Sequence, residues 1–525
     1  MKSGQKSTSK FDVRSFPWYP VFIALYAPLS LLAHNLGQIE VRDGIRSVLV
    51  SVFFSLLLLL ISRIIAGDWN RAGVASAILI VLFVSYGHLY TAIKNFEIFG
   101  VIIGRHRYLV IIWVVLAGLG LRWSVKKSFL IPSLNASMNL AGIVLLIYPS
   151  YQVVSYMLSS QAHPEKVVET QEIQTRQYGI EITPNQTPPD VYYIILDAYG
   201  RSDILSKDVG YDNSVFLDGL SQLGFYVVDC AQSNYSKTDL SLSSSMNLDY
   251  VTNLLDNAKP ESTDRLPLWK LIKNNEVKAI FESLGYTTVA FDTGYDFTEV
   301  ESSDVYYSAP QKGFNGFENL YLQTTFAAVV DDFGLLQRMQ LTPEDRKREL
   351  ILFKLEKLRE IPASIPGPKF VFAHLVIPHQ PFVFGPDGEP FVIPERVFKG
   401  QTYYPPKDYT LGYRNQTIYI SQQILEILEV IMRESAQPPV IILQGDHGPS
   451  HYDKPDRMAI LNAYHFPERE PGFYPTITPV NSFRMLFNSY FNANYDLLED
   501  VSYYSEYPYA YQFEVIPNTC QSGVR

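Results

Sequence analysis

Val440-Ile-Ile-Leu-Gln-Gly-Asp-His-Gly-Pro-Ser450 packs a buried strand and an abrupt turn into one short stretch. Val440 to Leu443 are apolar and read as the strand, and Gly445 and Gly448 bracket the turn. Asp446 and His447 therefore stand where a strand runs out into a loop. In open α/β sheets that is where ligand chemistry collects. An adjacent carboxylate and imidazole can hold a divalent cation. Equally, the Asp can cap the next element with a surface His beside it. Matching parts elsewhere in the chain decide between the two.

Working outward, an amphipathic helix over 412–433, with Leu425, Leu428 and Met432 on one stripe, delivers the chain into this strand. Before it come an apolar strand at 370–375 and a helix from Thr342 to about Glu360, with Pro343 in its first turn and Asp345 behind it. Further upstream lie strands at Val191–Leu196 and Thr287–Phe291 and helices at 213–223 and 268–284. Strand–helix–strand order of this kind predicts an α/β fold, a mostly parallel sheet sandwiched by helices.

The first 160 residues are different, and the overall hydrophobic content of 47% is an average of two unlike halves. Five apolar segments, at 16–36, 47–66, 72–93, 108–121 and 138–158, predict a bundle of about five transmembrane helices, the fourth being the shortest. Lys2, Lys6, Lys10, Arg14, Arg63, Arg71, Arg122, Lys126 and Lys127 fall on one side; Arg42, Arg46, Lys94, Arg105 and Arg107 fall on the other. The excess places the N-terminus inside and, after five crossings, the rest of the chain outside the cytoplasm. The expected organisation is a transmembrane domain over 1–160, a polar linker over 161–188, a catalytic domain over 189–495 and a surface tail over 496–525. The net charge of −10 argues against a nucleic-acid footprint. Two cysteines, Cys230 and Cys520, form neither a zinc pattern nor a disulfide scaffold, and leave one optional bridge.

Three further segments carry chemistry. Asp190-Val-Tyr-Tyr-Ile-Ile-Leu-Asp197 puts a carboxylate directly after the first outer strand, either as a helix cap or as a metal ligand. In Ser233-Asn-Tyr-Ser-Lys-Thr238 a hydroxyl sits at the start of a helix with Lys237 beside it. Positive potential there suits a nucleophile attacking an anionic phosphate or sulfate, although an isolated Thr at such a place is more simply the helix cap. His374-Leu-Val-Ile-Pro-His-Gln-Pro-Phe382 offers His374 and His379 on a proline-stiffened segment, as substrate contacts or as structural histidines. His451, Arg457 and His465 are further candidates for the same cleft.

Taken in order, these segments resemble the sulfatase-like branch of the alkaline phosphatase superfamily, over about Asp190 to Phe491. Asn462-Ala-Tyr-His-Phe-Pro467 and Thr478-Pro-Val-Asn-Ser-Phe-Arg484 match later parts of that pattern. With membrane spans ahead, the layout is similar to lipoteichoic acid synthases and phosphoethanolamine transferase-type enzymes. The resemblance implies a divalent ion (Mn²⁺, Zn²⁺ or Mg²⁺) held by Asp197, Thr238, Asp446 and His447. It also implies Thr238 as nucleophile and His379 on the phosphoryl oxygens or the leaving group, and Lys237 and His374 stand as further substrate contacts. Two features depart from it. Cys230 is followed by Ala-Gln-Ser-Asn, so the formylglycine signature of true sulfatases is absent. After Thr287–Phe291 come Asp292 and Thr293 where lipoteichoic acid synthases carry a His.

The expected protein is a metal-dependent phosphoryl-group transferase or phosphodiesterase, anchored in the cell membrane with its catalytic domain outside. Its partners would be a phospholipid or lipid-linked donor and an envelope glycan or lipid acceptor. The alternatives are a sulfuric-ester hydrolase and a non-catalytic scaffold for envelope assembly.

Overall fold

The computed structural model describes residues 16–520 apart from 37–38, 95, 99–100, 103, 127–130, 162–178, 183–186, 256–257, 311–312, 333, 392–403, 451 and 470–471. His451, most of the linker and the basic N-terminal residues lie outside the described residues. The chain forms two compact units, Met1–Ala162 with Gly313–Pro343, and His163–Lys312 with Glu344–Arg525.

The first unit holds helices α1 (Tyr19–His34), α2 (Val41–Ala66), α3 (Trp69–Ile93), α4 (His106–Lys126) and α5 (Ile131–Gln161). α2 to α5 have the length and hydropathy to cross a bilayer. α1, at 16 residues, spans about 24 Å, less than the ~30 Å hydrocarbon core. The expectation that the fourth segment is the short one is thus corrected: α4 extends past both predicted ends, and α1 is the short helix. Asn139 on α5 accepts from the backbone N–H groups of Trp18 and Tyr19 at 2.9 Å each and so caps α1. The Tyr19 hydroxyl donates to Asn135, whose amide in turn donates to Asn70 on α3. Polar side chains that bond across helices hold a bundle together where lipid supplies no hydrophobic drive.

An excursion from the outer part of the sequence, Gly313–Pro343, belongs to this first unit. Its helix α7 (Gly316–Thr324) starts at a capping box in which Asn315 and Glu318 each accept the other's backbone N–H. The sequence reading did not expect this excursion.

The second unit is built on a seven-stranded sheet. Its strands are β1 (Val191–Leu196), β2 (Tyr226–Val227), β3 (Thr287–Phe291), β4 (Val305–Tyr307), β5 (Lys369–Leu375), β6 (Val440–Gln444) and β7 (Asn462–His465). They lie in the order β2-β7-β6-β1-β5-β3-β4. β1 pairs in parallel with β5 and β6, β3 with β4 and β5, and β7 runs antiparallel to both its neighbours. The sheet is mixed and mostly parallel, as the alternation of elements predicts.

Successive residues of β1 point to opposite faces. Tyr192, Ile194 and Leu196 enter a core with α8 (Pro343–Ser364) and α9 (Pro406–Glu434), through Leu355, Leu358, Ile424 and Leu428. Val191, Tyr193 and Ile195 enter the opposite core, with Phe281 and with Phe483 and Phe487 of α10 (Pro479–Tyr490). The helix expected over 268–284 is two helices, Leu266–Lys273 and Glu276–Ser283. Asn275 breaks it because its side chain accepts the Lys278 N–H and caps the second piece.

The tail is only partly at the surface. Tyr503 stacks on Tyr235, Ala510 and Tyr511 are buried in a cluster with Leu240 and Trp269, and Tyr503 N donates to Asn234 O. Aromatic residues there are core material for the segment that leads to Thr238. The optional bridge is formed: Cys230 and Cys520 are disulfide-bonded across 290 residues.

Candidate metal centre and nucleophile

The three central strands, β6, β1 and β5, end side by side, and their carboxyl ends carry Asp446 and His447, Asp197, and the 376–382 loop. Asp197 N donates to Leu375 O, and His379 N donates to Asp197 O. Gly445 and Gly448 permit the turn after β6. A Cβ at 445 would stand 2.5 Å from Tyr199 O, and one at 448 would stand 2.6 Å from Asp456 O. Ala198 adopts a left-handed φ of 66°, a costly conformation for a residue with a Cβ. It aims the Ala198 N–H at Asp446 Oδ1, 2.9 Å away. Tyr413 on α9 clamps this corner by donating to Ala198 O and accepting from Gly200 N.

Each carboxylate has one anchored oxygen and one left over. Asp446 Oδ1 accepts from Ala198 N and His447 N, whereas Oδ2 is buried without a hydrogen-bond partner. Asp197 Oδ2 stands 3.3 Å from His374 Nε2, whereas Oδ1 is buried and unpartnered. His447 Nδ1 lies 2.8 Å from Gly448 O. A carbonyl can only accept, so Nδ1 carries the proton and Nε2 presents a lone pair. Nε2 is 3.7 Å from Asp197 Oδ1 and 3.6 Å from Asp446 Oδ2. These three side chains offer ligand atoms within 4.8 Å of one another. Two orphaned carboxylate oxygens and an imidazole lone pair converging in a buried site fit a divalent cation, because buried charge is otherwise paired.

The electrostatics follow from that crowding. Burial, then the Asp197 charge, pushes Asp446 up to about 6. Burial also disfavours the charge on Asp197, but the surrounding histidines, His379 first, outweigh it and hold this carboxyl below the usual range. Burial, then Arg457, drives His447 down to about 3. His379 is lowered to about 4, again chiefly by burial. All of these favour the deprotonated forms that a cation needs, except Asp446, whose raised value is the mark of two carboxylates in one site.

Thr238 opens helix α6 (Thr238–Ser245), and its Oγ1 lies 3.3 Å from His447 Nε2. Ser241 on the next turn donates to Asp446 O at 2.6 Å and ties α6 to the β6 loop. Lys237 Nζ is buried without a hydrogen-bond partner, and burial, then the Arg265 charge, pushes it down to about 8. Arg265 bonds Asp239 at 2.5 Å and leaves its Nη2 buried and unpartnered. Both cations lie 5.7 Å from the Tyr507 ring.

The other predicted residues fall in three places. His379 is half-buried, with its ring 6.2 Å from that of His447 and its Nδ1 on Gln380 O. Arg457 reaches the site, with Nη2 3.4 Å from His447 Nε2 and Nε on Ser236 O. His374, 1% exposed, lies inside β5 behind Asp197, away from any cleft surface. His465 pairs with Ile441 at the far end of β6 and bonds Pro439 O, so it is remote from Asp446.

Three contributors were missed. Arg265 and Tyr507 lie far in sequence from Lys237 and have no local signal. Lys354 is fully buried in α8, donates to His374 O at 2.9 Å, and is lowered to about 8 by burial. A lysine among Leu350, Ile351, Leu355 and Leu358 on an apolar helix face was its available signal.

No family model and no curated protein matches the sequence. Among solved structures the chain is similar to the C-terminal periplasmic domain of EcEptC from Escherichia coli in complex with Zn, at 13% identity and a TM-score of 0.44, covering 66% of this chain and 97% of that one. It is also similar to the integral membrane lipooligosaccharide phosphoethanolamine transferase A of Neisseria meningitidis, at 12% identity and 0.34, over 86% of this chain and 89% of that one. A third is the lipoteichoic acid synthase LtaP of Listeria monocytogenes, at 15% and 0.34, over 59% and 75%. At such identities and scores, what the site can do rests on its own geometry.

Proposed function

We propose that this protein is a membrane-anchored, metal-dependent phosphoryl-group transferase or phosphodiesterase, working on lipid head groups or envelope glycans outside the cytoplasm through Thr238. The observation that carries the reading is the pair of buried, unpartnered carboxylate oxygens, Asp197 Oδ1 and Asp446 Oδ2, converging with His447 Nε2 beside the Thr238 hydroxyl. Asp197, Asp446, His447 and Thr238 would hold the cation. When bound, it would favour the Thr238 alkoxide and offset charge on the phosphoryl oxygens.

The chain's own groups supply the rest. Lys237 Nζ and Arg265 Nη2 have unused N–H groups beside the start of α6, suited to phosphoryl oxygens. Thr238 Oγ1 bonds to phosphorus, the bond from phosphorus to the donor's alcohol breaks, and the alcohol leaves with a proton. The oxygen of an acceptor hydroxyl or water then bonds to phosphorus, the bond from phosphorus to Thr238 Oγ1 breaks, and the proton lost by the acceptor returns to Oγ1. His379 donates from Nδ1 to Gln380 O, so its Nε2 has a lone pair that can take the acceptor's proton. His374 acts as a positioning residue for Asp197, with Lys354 bracing its backbone.

The disulfide supports an extracytoplasmic site independently of how many helices cross the membrane, since disulfides persist in oxidising compartments. It also ties up Cys230, the cysteine ahead of the nucleophile segment, which disfavours formylglycine chemistry and with it the sulfuric-ester alternative. A non-catalytic scaffold has no use for two unpaired buried carboxylate oxygens.

The test is peptide mass spectrometry of the full-length protein after exposure to phosphatidylethanolamine or phosphatidylglycerol with Mn²⁺ or Zn²⁺. The expected result is phosphoethanolamine or phosphoglycerol on Thr238, and Thr238→Ala protein that folds but does not turn over. Full turnover by Thr238→Ala protein would remove the nucleophile from the mechanism.

A further inference from the structure

The first unit contains a cavity of about 300 Å³ between α1, α2, α3 and α7. Its wall is apolar, with Ala24, Ile80, Phe83 and Leu322 inside and Val50 and Phe54 at the rim. Val50 is 59% and Phe54 36% exposed on a helix with the length and hydropathy of a membrane span, an exposure that suits an opening towards hydrocarbon. Four of the polar side chains that line it, Arg46, Glu318, Ser51 and Tyr321, already have partners. Arg46 binds Glu318 through two nitrogens, Arg46 Nη2 donates to Gly313 O at 2.8 Å, and Ser51 Oγ and the Tyr321 hydroxyl are 3.0 Å apart.

The cavity exists because the 313–343 excursion is pinned against the bundle. Gly87 on α3 lets the excursion's backbone come close, since a Cβ there would stand 2.1 Å from Gln323 O. Phe326 N donates to Phe83 O at 2.8 Å, and Asn315 Nδ2 donates to Asp43 O. The groove is thereby closed on its inner sides by helices and left open at the rim. Arg46 marks one end, with its side chain 51% exposed, and Phe54 lies eight residues along α2, about 12 Å away. A narrow apolar slot with a polar end, the pair of half-exposed Arg46 with Glu318, matches an amphiphile lying along it.

We propose that this groove is a specific binding site for one acyl chain of a bilayer phospholipid, whose head group stays at the Arg46 end. A second copy of the chain would need a broad face, whereas this surface is a slot. A water-soluble ligand would have to enter from the lipid side.

The full-length protein in phosphatidylglycerol nanodiscs, doped with a phosphatidylglycerol carrying a diazirine midway along one acyl chain, tests this by photolabelling and peptide mapping. Labelling at Phe83 and Leu322 is expected to exceed that at Ile111 and Ile143, on the exposed faces of α4 and α5, by about tenfold. Ala24→Phe and, separately, Ser51→Phe fill the slot and should cut groove labelling about fivefold, leaving Ile111 and Ile143 unchanged. Labelling spread evenly over the groove and the outer faces in the wild-type protein overturns the proposal, whether or not either variant folds. Thr238→Ala protein should label like wild type, so the result is independent of the reaction proposed above.

Discussion

Asp190 precedes strand β1 and Asp197 follows it, and the two buried aspartates have opposite surroundings. Asp190 Oδ2 meets Lys369 Nζ at 2.7 Å, its Oδ1 accepts from Lys369 N, and the ammonium also donates to Ile365 O. Both oxygens of that carboxylate and the ammonium facing it are paired. At the other end Asp197 faces a second carboxylate, Asp446, and each keeps a buried oxygen with no partner. A charge brought into low dielectric costs several kcal/mol unless it is compensated. The Asp190 end is compensated by the protein alone, and that makes it architecture. The Asp197 end keeps two buried carboxylate oxygens that no protein group pairs, which is the place that the proposed cation would fill.

Three measurements can break or sharpen this contrast. The largest effect is expected from Asp197→Asn or Asp446→Asn. Turnover should fall about 10⁴-fold, while thermal stability of the metal-free protein stays level or rises, because a repulsion is removed. A large loss of stability from either variant would mean that the pair is structural after all. Next, Lys369→Ala should cost about 3–5 kcal/mol in denaturant unfolding by stranding Asp190, with metal stoichiometry of the folded fraction unchanged. The smallest effect is on pH. Asp446 must lose its proton to serve as a ligand, and it sits at about 6. Mn²⁺ affinity, followed by calorimetry, should be level above pH 7 and weaken about tenfold per unit below about 6. Asp446→Asn should abolish that dependence together with most of the binding.

The site was largely legible in the sequence because its parts are short-range. Asp197 and Asp446–His447 each follow an apolar strand directly, and Thr238 opens a helix after a hydroxyl-rich run. Strand ends and helix starts are set by neighbours a few residues away. His374 shows where that logic stops. Its spacing to His379 suggests one shared surface, but His374 belongs to β5 and faces inward, whereas His379 lies beyond the strand end. His465 failed for a related reason, since an antiparallel partner carries it to the wrong end of β6.

What the sequence determined by itself was the division into an apolar helical half and an α/β half, four of the seven strands, and the identity of the acid, hydroxyl and imidazole groups. Periodicity and adjacency carry that information along the chain. Only the tertiary structure decided which groups face each other: Lys354 under His374, Arg265 and Tyr507 around Lys237, Cys230 with Cys520, and the 313–343 excursion against α2 and α3. Those pairings join residues tens to hundreds of positions apart. They are selected by the burial of whole elements, for which no local pattern of residues is a proxy.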